Sequence, residues 1–331
     1  MNNSSVVVKS MVCMRRNLSN YNFMMVIDTD SCDEMKSDIE KELDSLGYLK
    51  DSKVYNIKDT KSTTKDYIKK RGYICSSYYE DVSPVVFIND EKKVVFSLGD
   101  NDHVRIIKYD YGRNLRDVYN DCLEIEEKLN DRLNFAFDID IGYLSDDFMS
   151  AGCLTDVDIF LNLKALELYN EIDYISDIAK FRGYTLEKAY DSNTKSSIYK
   201  LSTNDFVADC EFAINDLTLL VDSISRKEMD KRKMLIEQNQ KFKDELLRSV
   251  SMLKYSRVLD EVEAMNKITD LLIAIDFGIV DGYEVDDIVK LFDKTNKLTL
   301  EKFRDDNNLN QNIGVLRSEI IKNTLERQVK N

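Results

Sequence analysis

Between Tyr184 and Phe277 the chain carries neither glycine nor proline, whereas its single proline, Pro84, and all ten glycines lie elsewhere. Those two residues are the strongest local interrupters of regular structure, so a run this long without them, rich in Lys, Glu, Leu and Met, predicts mostly helix. Leu217, Val221 and Ile224 continue past a charged section to Leu235, Phe242, Leu246, Val250 and Leu253 at near-helical multiples. That spacing predicts one long helix with a single buried stripe. Val262, Ile268, Leu271, Leu272 and Ile275 predict another, stopped near Gly278. The expected domains are therefore 1–245 and 246–331, the second a small all-helical unit.

The first part has other rhythms. Val6 to Met14 is apolar and β-branched at its start and predicts a strand. Ser31 with Glu34 has capping-box spacing, and Met35, Ile39, Leu43 and Leu46 then recur at helical intervals up to Gly47. Lys50 to Lys70 shows little periodicity. Val85–Ile88 and Val94–Leu98 flank the turn Asn89 to Lys92, which predicts a hairpin. Leu115, Val118, Tyr119, Cys122, Ile125, Leu129 and Leu133 share one helical face. Leu154 to Leu163 alternates as a half-buried strand, and a helix is expected around Leu166 to Phe181. The fold class is α+β: a mainly antiparallel sheet with helices packed on one face, then the helical unit.

A formal net charge of -14 argues against nucleic acid and anionic membranes, because binding either needs clustered Lys and Arg. The basic residues of Arg226 to Lys233 are interleaved with acidic ones and read as a solvated helix face. Six scattered cysteines form no C-x-x-C pair, so neither a zinc site nor a redox motif is suggested, and reduced thiols in a cytoplasmic protein are expected. No metal site is expected. No apolar run approaches the roughly 18 residues that span a bilayer, and the N-terminus lacks a secretory pattern.

The sole histidine, His103, sits in a corner between two apolar runs: Gly99, Asp100, Asn101, Asp102, His103, then Val104 and Arg105. An arginine inside an apolar strand needs an anionic partner. Two readings stand for Arg105, a structural ion pair with Asp100 or Asp102, or a contact to phosphate.

Ordered segments give this corner a context. Lys9 to Asn17 is similar to S-S-R-V-R-L-A-R-N, and Gly99 to Ile106 to N-E-E-D-H-L-R-I. Gly142-Tyr143-Leu144 opens a stretch similar to G-Y-L-T-x-C-P-T-N-x-G-T-x-x-R-A-S, and Arg182 to Glu187 resembles R-G-x-x-G-E. Arg248 to Arg257 and Ala274 to Ile279 resemble a helical dimerisation domain. On these motifs the chain resembles the phosphagen (guanidino) kinases, most closely the bacterial McsB-type protein-arginine kinases. The resemblance implies a guanidino-kinase, glutamine-synthetase-like catalytic fold and a dimer, homo- or hetero-.

It also implies transfer of a phosphoryl group from Mg-ATP to a guanidinium, with five arginines around the phosphates and carboxylates aligning the acceptor. At the matching positions the two arginines of the first segment are Met11 and Cys13, and the arginine of the long loop is Asp156. Arg105 and Arg182 remain as a residual phosphate clamp. The base position is Asn101, preceded by Asp100; the loop cysteine is Asp147, its proline Phe148, and Glu187 is kept. Gly152 survives of the glycine-threonine pair, and Leu186 replaces a glycine. A C-terminal R-D-x-x-R-A motif is matched by Ile313 to Ser318, in which Arg317 alone persists and is expected to form a surface ion pair.

These substitutions imply a pseudokinase with no intact catalytic residue and no bound cofactor, acting on protein partners such as an active arginine kinase. The alternative is a divergent, active ATP-dependent phosphotransferase, with Asp100, Asp102 or Glu187 as base and Lys9 or Arg15 supplying displaced charge. A third reading has Asp146, Asp147, Asp156 and Asp158 form an acidic cleft for a cation or basic peptide.

Overall fold

A computed structural model describes residues 5–75, 78, 82–112, 114–147, 150–189, 196–203 and 209–328. Strands β1 (Val7–Arg16), β2 (Lys53–Asn56), β3 (Val85–Asn89), β4 (Val94–Leu98), β5 (Val104–Tyr111), β8 (Thr155–Asn162), β9 (Tyr184–Lys188) and β10 (Ile198–Thr203) form one sheet. Its order is β2-β3-β4-β5-β1-β8-β10-β9, and its pairings are antiparallel. Two short strands, β6 (Phe137–Asp138) and β7 (Gly142–Tyr143), make a separate hairpin.

β1 lies at the centre because its residues are apolar on both sides of the pleat. Val12 and Met14 join a core closed by α1 (Thr29–Ser45), α3 (Leu115–Leu133) and α6 (Cys210–Gln238). Met11 and Cys13 point to the opposite face, where they pack with Ile57 and with Ile68 of α2 (Ser62–Lys70). Both faces are thus covered, and the expectation of helices on one face is corrected. α2 escaped the sequence reading because a nine-residue helix with only Thr64 and Ile68 buried carries almost no periodicity.

α3 and the β3–β4 hairpin fall where the sequence put them. α1 begins earlier than its apparent capping box: Asp28 is the N-cap, and its carboxylate accepts from Ser31 N at 2.9 Å. The single helix expected to end at Phe181 is two, α4 (Lys164–Leu168) and α5 (Ile172–Phe181), separated at Asn170 with φ +55°. β9 and β10 lie inside the glycine- and proline-free stretch. Lack of breakers allows strand as well as helix, and in β10 Tyr199 and Leu201, two apart, enter one core while Ile198 enters the other, the period-two pattern of a strand buried on both faces.

The long stripe also breaks. α6 ends at Gln238 and α7 (Gln240–Tyr255) follows at once, with Asn239 serving both ends. Its N–H donates to Leu235 O at 3.0 Å and its Oδ1 accepts from Phe242 N at 3.1 Å. Beyond it, α8 (Glu261–Asp276), α9 (Val285–Lys294), α10 (Lys297–Asp306) and α11 (Ile313–Gln328) form the expected helical unit. Its core includes Val8 of β1 and Ile198 of β10, so it is packed onto the sheet.

Three more expectations change. The charged section of α6 is partly interior: Glu228 accepts from the N–H groups of Ala165 and Leu166, capping the start of α4, and buried Arg232 binds Glu228, Asp276 and Asn162 O. Arg317 is also buried, donating to Thr295 O and Leu259 O at 2.8 and 2.9 Å, so it closes turns instead of pairing at the surface. Finally, Cys153 and Cys210 form a disulfide, with Cα atoms 5.4 Å apart. Reduced thiols therefore hold for Cys13, Cys32, Cys75 and Cys122 only, the pairing being invisible at a separation of 57 residues.

Candidate functional site

The corner between β4 and β5 is rigid. Gly99 takes φ +69°, a left-handed conformation natural to glycine, and its N–H reaches His103 O at 3.0 Å. His103 is buried, and its Nδ1 accepts from Leu18 N at 2.9 Å, which leaves the proton on Nε2, 2.9 Å from Asn22 O. Burial pushes its imidazole below the usual range, so it stays neutral and pins the corner to the segment after β1. Asp102 accepts from Asn17 Nδ2 at 2.7 Å in the same way.

Arg105 leaves this corner on the face that carries Met11 and Cys13. The β1–β5 register sets Arg15 opposite Arg105 and Met11 opposite Tyr109; the β1–β8 register sets Cys13 opposite Asp156 and Met11 opposite Asp158. Directly paired residues share a sheet face, so Met11, Cys13, Arg15, Arg105 and Asp156 form one patch. Its cations are engaged within the chain. Arg15 Nε lies 3.1 Å from Asp156 Oδ2 and its Nη1 3.6 Å from Asp102 Oδ2. Arg105 Nε lies 3.7 Å from Asp100 Oδ2, an ion pair too long for a direct hydrogen bond.

Met11 and Cys13 belong to an apolar cluster with Ile57, Ile68, Tyr73 and Tyr109. Burial pushes the Cys13 thiol up to about 11. Asp100 is fully buried; burial also raises its carboxyl, against the pull of Arg105, and its Oδ2 accepts from Cys75 N at 2.7 Å. Asn101 Nδ2 lies 3.2 Å from Cys75 Sγ. Cys75 was missed in the sequence, where nothing near it signals a site.

The other candidate positions have different neighbours. Asp147 is exposed and accepts from Ser150 Oγ at 2.9 Å, while Phe148 lies outside the described residues. Gly142 presses on Gly152, where an added Cβ would come within 2.7 Å of Gly152 O. Glu187 pairs with Lys200 at 3.3 Å, and Arg182 with Asp216 of α6 at 3.0 Å. Both lie on or beside β9, which β10 and β8 separate from β1. Among the described residues no group of three or more His, Cys, Asp or Glu is arranged to hold a metal ion, Asp146, Asp147, Asp156 and Asp158 included.

Residues 34–242 match the sequence profile of the ATP:guanido phosphotransferase, C-terminal catalytic domain. The chain belongs to the ATP:guanido phosphotransferase family. Residues 239–331 match the protein-arginine kinase McsB C-terminal domain, so the two profiles meet at the Asn239 break. A protein-arginine kinase of Clostridium perfringens is 25% identical over 333 residues, covering 97% of each chain. Another, of Clostridium acetobutylicum, is 25% identical over 310 residues, 90% of each.

Solved structures of this family agree in fold. Lombricine kinase superposes with a TM-score of 0.58 at 13% identity, covering 74% of this chain and 71% of that one. The duplicated taurocyamine kinase of Schistosoma mansoni, with bound transition state analogue components, gives 0.57 at 18% identity. That match covers 75% of this chain, which spans 37% of the duplicated one. The antiparallel sheet flanked by helices is the phosphagen-kinase fold.

Proposed function

We propose that this member of the ATP:guanido phosphotransferase family is a pseudokinase that acts through protein contacts and not through phosphoryl transfer. The observation that carries the reading is the pairing of Asp156 with Arg15 at 3.1 Å, at a position where the family motif has arginine. A triphosphate needs cations free to face it. Here Arg15 is shared between two carboxylates, Arg105 faces Asp100, and Met11 and Cys13 are buried among apolar side chains. Three missing clamp arginines, at about 1.5–3 kcal/mol for each charge-assisted hydrogen bond, correspond to several orders of magnitude in affinity. Asn101 offers an amide where the motif supplies a base. This set does not fit Mg-ATP.

The partners we propose are proteins: an active protein-arginine kinase, or a second copy of this chain, in a cytoplasmic setting. Divergent phosphotransfer to arginine is the second reading. Its support is the β1–β5 register, which keeps two arginines, Arg15 and Arg105, side by side.

Calorimetry with Mg-ATP and Mg-ADP, beside an assay for acid-labile phosphoarginine on mixed protein substrate, separates the two. The pseudokinase reading expects no binding tighter than about 100 μM and no turnover; tight binding with turnover overturns it. Capture of the active kinase at low salt tests the partner, and failure there counts against it.

A further inference from the structure

The outer faces of α5 and α6 carry apolar side chains that the core does not use. Ile175 and Ala179 of α5 and Leu217, Leu220 and Ile224 of α6 are buried, so helical geometry turns the opposite stripes outward. Tyr174 and Phe181 lie two turns apart on one stripe, and Phe212 and Leu219 two turns apart on the other. They are 59%, 93%, 70% and 63% exposed. The two helices run antiparallel, because Lys227 Nζ stands 4.2 Å from the Tyr174 ring centre while Arg182, the C-cap of α5, pairs with Asp216 at 3.0 Å. One patch therefore gathers four large apolar groups, and Met234 extends it along α6. Exposed apolar residues scattered singly need no explanation, but a set rimmed by charge marks an interaction surface.

The charge along α6 points to what covers it. Its first half, with the N-cap, bears Asp209, Glu211, Asp216 and Asp222 and no Lys or Arg. In its second half Glu228 and Arg232 are buried, which leaves Arg226, Lys227, Lys231 and Lys233 against Asp230 outside the core. Within the chain Arg116 and Arg182 answer two of the acids, and Glu171 answers both Lys227 and Lys231. Each half keeps a surplus of its own sign. Arg226 reaches Asp222 O at 3.2 Å and has no ion pair among the described residues, and Lys233 meets Glu237 only at 3.9 Å.

A helix acidic at one end and basic at the other complements itself when reversed, which is the geometry of a two-fold axis. An axis at exposed Ser223 sets Phe212 over Met234 of a second copy, since both are equally far from it in sequence. It sets Leu219 against the aliphatic stem of that copy's Lys227. Two chains of net charge -14 repel as wholes, so opposed local charges also select the antiparallel arrangement over the parallel one.

We propose that the α5–α6 face binds a second copy of this chain, α6 against α6 in antiparallel, around a two-fold axis at Ser223. The surface is distinct from Arg248 to Arg257 and Ala274 to Ile279, whose resemblance implies a dimer through the C-terminal helices. The proposal rests on the second-copy partner of the preceding section and not on the loss of phosphoryl transfer.

Sedimentation equilibrium of the full chain tests it. Wild type should dimerise, and Phe212→Asp/Leu219→Asp should weaken association by about a hundredfold or more at an unchanged melting temperature. Arg226→Glu/Lys233→Glu should weaken it about tenfold, whereas Tyr255→Asp, at an exposed position of α7, should leave it unaltered. Ser223→Cys should cross-link between copies under mild oxidation where wild type does not. A dimer that survives Phe212→Asp/Leu219→Asp, is lost in Tyr255→Asp, or is not cross-linked through Ser223→Cys overturns this interface and leaves the second-copy partner standing. A wild type that stays monomeric at about 100 μM overturns both. Capture of an active arginine kinase by such a monomer, lost in Phe212→Asp/Leu219→Asp, would assign the face to that partner and overturn the proposal as well.

Discussion

Arg15 on β1 and Asp156 on β8 form an ion pair at 3.1 Å that ties two neighbouring strands of the sheet together. A double-mutant cycle by urea denaturation measures how strongly the two charges depend on each other. Because the Asp156 side chain is 38% exposed, solvent screening limits the expected coupling between Arg15→Ala and Asp156→Ala to about 0.5–1 kcal/mol. Asp156→Arg alone should destabilise more, since it sets a third cation beside Arg15 and Arg105.

Asp293→Asn should be far more damaging. Its carboxylate is the one that Lys9 and Arg71 share, and removing one side of a buried ion pair costs about 3–5 kcal/mol. Burial pushes this carboxyl up, but Arg71 and Lys9 outweigh it and hold it well below the usual carboxylate range. The stabilisation is therefore present at every pH above that range and fades only in strong acid, below the ordinary Asp value. Melting curves of the variant and wild type should differ by a constant amount from pH 5 to 8.

Asp276 has the opposite sign. Burial raises its carboxyl to about 6, against the pull of Arg232. The folded chain then holds a proton that the unfolded chain has released, so this contribution is complete below about pH 4 and declines as pH rises to about 6. The loss is about 3 kcal/mol. Asp276→Asn should remove that decline; an unchanged difference between the variant's and wild type's stability across this window would refute it.

The Cys153–Cys210 disulfide closes a 57-residue separation. On loop-closure entropy, a ring of that size stabilises by about 4 kcal/mol. Thiol titration of the unreduced, denatured chain should find four free cysteines of six, and dithiothreitol should lower the melting temperature by several degrees.

How much could be read beforehand depended on the range of each interaction. α3 and the β3–β4 hairpin were legible because their periodicities are local and strong. The ordered motifs gave the fold as well. α2, the Asn239 break and β9–β10 were not legible: one is too short, one turns on a single capping side chain, and the last share the breaker-free composition of a helix. At the site, Asp100 and Arg105 stood out as charges in an apolar corner, and Asp156 only through the motif resemblance. That Arg15 would turn to Asp156, or that Lys9 would find Asp293 across 284 residues, depends on which strands become neighbours.

Lys9 lies on the central strand of the sheet, while Asp293 belongs to α9. A cut made near residue 245 would leave Lys9 and Arg71 buried without a carboxylate and would strip the apolar cover from Val8 and Ile198. Two segments separable as stretches of sequence are therefore one cooperative body in energy. The C-terminal helices serve the sheet as counter-ion and lid, and a chain shortened there would lose the solubility of its own interior strand.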